Sequence, residues 1–199
     1  LYEQHNPDYI PSNRGGPAVV LADSENNRVI EYHRRGGEWQ AVWSWRDTAL
    51  QWPRDADRLP TGHTLVVDSH GDRVFEVGLN GSIVWHYSIG RPYDAERLDT
   101  GDESSGGFAA GTSPTCPAPS PCDAPPRAAQ RPTDQAASVI WLKDRLSGVI
   151  ANSLLFVAPP WIQFTDLVVI GVLGVTLLLW AGLEWRWSTF SVRIRRDRD

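Results

Sequence analysis

Residues 20–32 read VLADSENNRVIEY, and residues 65–77 read LVVDSHGDRVFEV. At an offset of 45 the two lines hold register: Asp23 with Asp68, Ser24 with Ser69, Arg28 with Arg73, Val29 with Val74 and Glu31 with Glu76. Each copy is an apolar run, a polar break (SENN or SHGD) and a second apolar run, which is the pattern of an antiparallel hairpin. The Asp–Ser pairs and the two arginines read as turn residues, because short polar side chains satisfy turn amides.

Further matches extend on both sides. A third strand follows each hairpin, Trp39–Trp45 (WQAVWSW) and Ser82–Ile89 (SIVWHYSI), with Trp43 matching Trp85 at an offset of 42. A connecting motif repeats at an offset of 39, DADRLPTG at 55–62 against DAERLDTG at 94–101, and HNPDYIP at 5–11 precedes the first copy as RDADRLP at 54–60 precedes the second. Units of this length with several short strands predict β-propeller blades, with a solenoid of hairpins as the alternative.

The predicted fold class is therefore all-β, an incomplete β-propeller of about two to three blades over residues 1–104, since a closed ring needs roughly four or more. The missing blades are expected to come from other protein chains or from a longer product. The start at Leu1 and the lack of methionine fit that expectation.

Four further regions follow. Residues 105–138 are rich in Pro, Ala, Ser and Thr and read as an extended spacer. Cys116 and Cys122 lie in it, a candidate local disulfide with two unpaired thiols as the alternative, and no other His or Cys is near enough in sequence to suggest zinc. Residues 139–158 carry apolar side chains at helical spacing and read as an amphipathic helix in the membrane interface or under the propeller.

Leu167–Leu183 contains neither charge nor proline, so 161–185 reads as a transmembrane helix with tryptophans at both ends. The tail 186–199 carries Arg186, Arg193, Arg195, Arg196 and Arg198, which predicts a cytoplasmic C-terminus and residues 1–160 outside. A net charge of −5 argues against nucleic acid as a partner. The expected partners are the membrane and other chains or blades that complete the propeller.

The stretch WPRDADRLPTGHTLVVDSHGDRVFEVGLNGSIVW (52–85) resembles the repeat of arylsulfotransferase-family propellers, especially membrane-anchored haloarchaeal members. HNPDYIP, PYDAERLDTGDES and the final VAPPW-plus-helix arrangement are similar to those members too. The resemblance implies a six-bladed propeller in which a channel histidine takes a sulfuryl group from an aryl sulfate and passes it to a phenol, without a nucleotide donor or other cofactor. Family members carry a motif of the form H-D-x-x-L-P-N-G-N, and the matching stretch here is Arg54-Asp55-Ala56-Asp57-Arg58-Leu59-Pro60-Thr61-Gly62-His63, so Arg54 stands where a histidine is expected.

The repeat alignment makes His5, Arg54 and Tyr93 equivalent, which predicts that they converge at one end of the channel. His5 is the candidate nucleophile or general base, and Arg54 and Tyr93 are candidate contacts for a sulfate ester. Arg58 and Arg97, in frame with Asp57 and Glu96, read either as anion contacts or as structural ion pairs. His63, His70 and His86 share no repeat position and predict no metal site. Asn80-Gly81-Ser82 is both a tight-turn signal and a glycosylation sequon. A non-enzymatic surface module that binds a partner or assembles with other subunits is the alternative function.

Overall fold

A computed structural model describes residues 1–98, 104–112, 148–159 and 161–188. Cys116 and Cys122, residues 139–147 of the expected interfacial helix, most of the spacer and the tail beyond Ser188 lie outside the described residues. Contacts divide the chain into two units, Leu1–Ile162 and Gln163–Asp199.

The first unit contains two four-stranded antiparallel sheets, each a simple meander. Sheet one pairs β1 (Gln4–Ile10), β2 (Ala18–Asp23), β3 (Arg28–Arg35) and β4 (Glu38–Trp45) in that order. Sheet two repeats the order with β5 (Pro53–Arg58), β6 (Thr64–Asp68), β7 (Arg73–Val77) and β8 (Ile83–Ser88). The motif read as a connector is itself a strand: it forms β1 and β5, the first member of each sheet. Alternation explains the strands, because one residue in two points into the shared core.

That core lies between the sheets. Ile10, Val20, Val29 and Trp45 of the first meet Ala56, Val66, Phe75 and Val77 of the second. Trp45 is fully buried, its ring centroid is 5.2 Å from that of Phe75, and its indole N–H donates to Gly81 O at 2.9 Å. On the far face of sheet two, Leu59, Leu65, Val67 and Val74 form a second cluster with Ala95 against it.

The repeat extends to the hydrogen bonds. Asp23 Oδ1 accepts from Tyr2 N, and Asp68 Oδ1 accepts from Gln51 N. Each aspartate also holds the arginine across its turn, Arg28 at 2.5 Å and Arg73 at 2.7 Å. Ser24 Oγ donates to Pro53 O, and Ser69 Oγ donates to Pro92 O. The Asp–Ser pair therefore does more than close a turn, because its serine ties each sheet to the segment that follows.

The start of the segment expected as a spacer packs against the sheets: Ala109 joins the inter-sheet core and Ala110 N–H donates to Glu31 Oε1 at 2.8 Å, and Ser104 just before it is buried. Helix α1 (Gly148–Val157) lies against the polar turn between β2 and β3. Asn152 donates to Glu25 Oε2 and accepts from Gln51 Nε2, while Arg91 donates to the carbonyls of Leu155 and Ala158 at the helix end.

The second unit contains α2 (Phe164–Trp187), 24 residues long. At 1.5 Å per residue that is about 36 Å, long enough and apolar enough to cross a bilayer. Its large apolar side chains from Val169 to Leu183 are exposed all round the helix. Asp166 and Gln163 close its first turn as a capping box.

Candidate functional site

The first strands of both sheets are irregular at the same place. Register shifts between His5 and Asp8 in β1 and between Pro53 and Asp55 in β5, so Arg54 occupies a bulge and pairs with no residue of β6. Just before each shift the backbone turns left-handed, at Glu3 (φ 48°) and Trp52 (φ 55°), and it does so again at Arg91 (φ 43°) before the third copy of the motif. Side chains hold the last two kinks: Asn27 Oδ1 accepts from Trp52 N at 2.8 Å, and Asp72 Oδ1 accepts from Arg91 N at 2.9 Å.

These kinks bring the three equivalent positions into one cluster. The Arg54 guanidinium carbon lies 4.5 Å from the centroid of Trp52 and 4.3 Å from that of Tyr93. Among the described residues no carboxylate lies within ion-pair range of Arg54, and its buried Nε has no hydrogen-bond partner. The His5 ring meets the Trp52 ring edge-on at 6.3 Å. Trp52 also contacts His70 at 4.4 Å and Phe156 of α1 at 5.9 Å.

His5 is held in one tautomer. Its Nδ1 lies 3.1 Å from Glu3 O, which can only accept, and 2.7 Å from Ser24 Oγ, whose proton goes to Pro53 O. Nδ1 is thus the protonated nitrogen, and the neutral ring keeps its lone pair on Nε2. Partial burial, and then the positive charge of Arg54, lower the His5 pKa against the opposing effect of Glu3. The neutral ring is therefore the favoured form near neutral pH.

Arg58 and Arg97 belong elsewhere. Arg58 is buried and bonded to Glu31 Oε2 at 2.5 Å and Thr64 Oγ1 at 2.8 Å, with its guanidinium over Trp43. Arg97 pairs with Glu76 at 3.0 Å, the equivalent partner in sheet two. Both take the ion-pair alternative, with glutamates of the preceding sheet rather than with Asp57 or Glu96. Burial would raise the pKa of Glu31, but Arg58, His33 and the Ala110 amide together hold it low. Exposed Asn80 turns its side-chain oxygen onto Ser82 N and Oγ in the hairpin turn.

Beside the cluster, four carboxyls from three copies of the motif converge: Asp8, Asp55, Asp57 and Asp94. Burial, a hydrogen bond with Asp8 and the charges of Asp55, Asp8 and Asp94 push Asp57 up to about 10. Burial and the Asp94 charge push Asp55 up to about 7, against a hydrogen bond from Asn6. A carboxyl–carboxyl hydrogen bond needs a shared proton, and the raised values of Asp55 and Asp57 favour their protonated forms, which relieves repulsion between the carboxyls. Ser104 adds to the join, donating to Asp8 Oδ2 and accepting from Arg58 N. Among the described residues no group of three or more His, Cys, Asp and Glu is placed to hold a metal ion.

Sequence reasoning grouped His5, Arg54 and Tyr93 but missed Trp52 and the paired carboxyls. The carboxyls had a signal, since acidic residues recur at Asp55 and Asp57 and at Asp94 and Glu96. Trp52 had only its place beside the kink. No family model, curated protein or solved structure matches the chain.

Proposed function

We propose that the two sheets are neighbouring blades of a propeller anchored outside the cell by α2, and that the cluster around Arg54 binds aryl sulfate esters for sulfuryl transfer. The carrying observation is an arginine with no carboxylate partner among the described residues, flanked by two aromatic rings and next to His5. A sulfate ester has both halves this cluster suits. Its oxygens match the edge of the guanidinium, and its aryl ring matches Trp52 and Tyr93.

In the transfer, His5 Nε2 attacks sulfur, the sulfur–oxygen bond breaks, and the aryl oxygen leaves as a phenolate that takes a proton from water. An acceptor phenol then attacks the sulfuryl group on His5, breaking the nitrogen–sulfur bond and giving its proton to the solvent hydroxide left by the first step. The excess of arginine after α2 supports a cytoplasmic C-terminus, with the sheets outside.

The test uses purified full-length protein with p-nitrophenyl sulfate and phenol. Arg54→Ala is expected to weaken ester binding roughly tenfold or more, as loss of a charge-assisted contact does. His5→Ala is expected to retain binding and lose transfer. A wild-type protein that neither binds nor transfers overturns the reading.

Binding without transfer supports a second reading, a non-enzymatic module completed by further blades. A specific observation favours that completion: an open groove of about 320 Å³ on the far face of sheet two, lined by Leu65, Val74, Trp85, Tyr87 and Ile89.

A further inference from the structure

Helix α1 has two apolar faces. One, with Ala151 and Leu155, is buried against the first unit, and Asn152 on that face is bonded to Gln51 and Glu25. The other presents Ile150, Leu154 and Val157, spaced four and three residues apart, and all three are exposed. Val157 is 79% exposed and Trp161, four residues on, is 78% exposed. No charged residue occurs in Gly148–Val157. A contiguous apolar stripe of this kind is costly in water and marks a surface that is covered.

We propose that the outward face of α1 seats in the lipid–water interface of the membrane that α2 enters. The inference rests on reading α2 as a span, and the connection between the helices commits it to lipid. Only six residues, Ala158–Gln163, separate them. Fully extended, the seven steps from Val157 to Phe164 reach about 25 Å, so the end of α1 can lie no farther than that from the start of α2. An uncharged helix with a tryptophan just after it, tethered this closely to a span, suits the headgroup–acyl boundary, where apolar side chains enter and the aromatic ring sits at the surface.

Seating has a consequence for the candidate site. Arg91 and Asn152 fix α1 to the first unit, and Phe156 touches Trp52. The Trp52–Arg54 pair is then held close to the bilayer surface. Ligands concentrated in the interface, amphipathic phenols among them, gain direct access.

The experiment uses the full chain with both native cysteines replaced (Cys116→Ser, Cys122→Ser), reconstituted in phosphatidylcholine vesicles. Single cysteines are introduced as Leu154→Cys, Val157→Cys, Leu178→Cys within α2 and Asn80→Cys in the β7–β8 turn. Each is labelled with an environment-sensitive fluorophore and challenged with lipids carrying spin-label quenchers at shallow or deep positions. Shallow quencher is expected to act at 154 and 157, deep quencher at 178, and neither at 80. A membrane-impermeant maleimide is expected to react about tenfold more slowly at 154 than at 80, since an interface-seated side chain leaves bulk water.

If 178 is quenched but 154 and 157 are not, the seat is overturned while the span stands, whether the maleimide reacts slowly there because protein covers the face or quickly because water does. If 178 is unquenched, the reading of α2 as a span fails and takes the proposal with it.

Discussion

The two sheets are built from one repeat and live in different surroundings. Trp45 and Tyr87 are equivalent at an offset of 42, yet Trp45 is 0% exposed and Tyr87 is 58% exposed. Ile10, Val20 and Val29 lie in the inter-sheet core, while their counterparts Leu59, Leu65 and Val74 line the second, one-sided cluster. Glu31 and Arg58 pair in a buried setting, whereas the matching Arg97 side chain is 49% exposed. Burial in this molecule is set by the neighbour a face has and not by the residues of the face itself. Sheet two presents the same kind of surface that sheet one has already covered.

The strongest way to break this comparison is to truncate its two tryptophan-position residues in turn. Trp45→Ala is expected to cost about 3–5 kcal/mol, since it removes a fully buried ring and the hydrogen bond to Gly81. Thermal or denaturant unfolding of the full chain in detergent, followed by the β signal in circular dichroism, reads the loss. Next come the paired arginines. Arg58→Ala leaves Glu31 buried without its main cation and is expected to cost about 3 kcal/mol. Arg97→Ala opens a half-exposed pair and is expected to cost less than about 1 kcal/mol. Equal losses for the two arginines would show that the groove on sheet two is covered after all.

A pH series sharpens the contrast between carboxyls. Asp55 and Asp57 have folded pKa values raised above the unfolded value near 3.9, so they bind protons more tightly in the folded state. Their stabilising effect is complete below about pH 4 and is lost as pH rises through about 7 and then about 10. Asp23 and Glu31 have lowered values, so their contribution is present above the unfolded pKa and is lost on acidification. Asp57→Asn keeps the shape without the titration and is expected to flatten the fall in melting temperature on the alkaline side. An unchanged alkaline slope would refute the shared-proton description. The smallest effect is expected from Tyr87→Ala, within about 0.5 kcal/mol, as for an exposed site outside the core.

The sheets were legible because alternation and repetition are local signals. The hairpins at 20–32 and 65–77 and the third strands came out within a residue or two of β4 and β8. The equivalence of His5, Arg54 and Tyr93 was legible for the same reason, since each precedes a copy of one motif. What escaped was set by contacts far apart in sequence. Asn152 meets Gln51 across 101 residues, and Ser104 meets Asp8 across 96. No periodicity announces such pairs, so the packing of 104–112 had no signal, and the helical spacing of 139–158 offered docking under the propeller as one alternative without naming the partners of Asn152. Arg58 was ambiguous because its partner, Glu31, belongs to the preceding repeat.

The left-handed kinks at Trp52 and Arg91 are each clamped by a side chain from the turn of the sheet before them, Asn27 and Asp72. Each unit therefore carries the fastener for its successor and not its own. A gene segment copied or transplanted from Trp52 through Gly90 brings a complete link, whereas one cut at the end of a strand leaves a clasp on one side and its eye on the other. Growth of such a chain by duplication has natural seams, and they fall at the kinks.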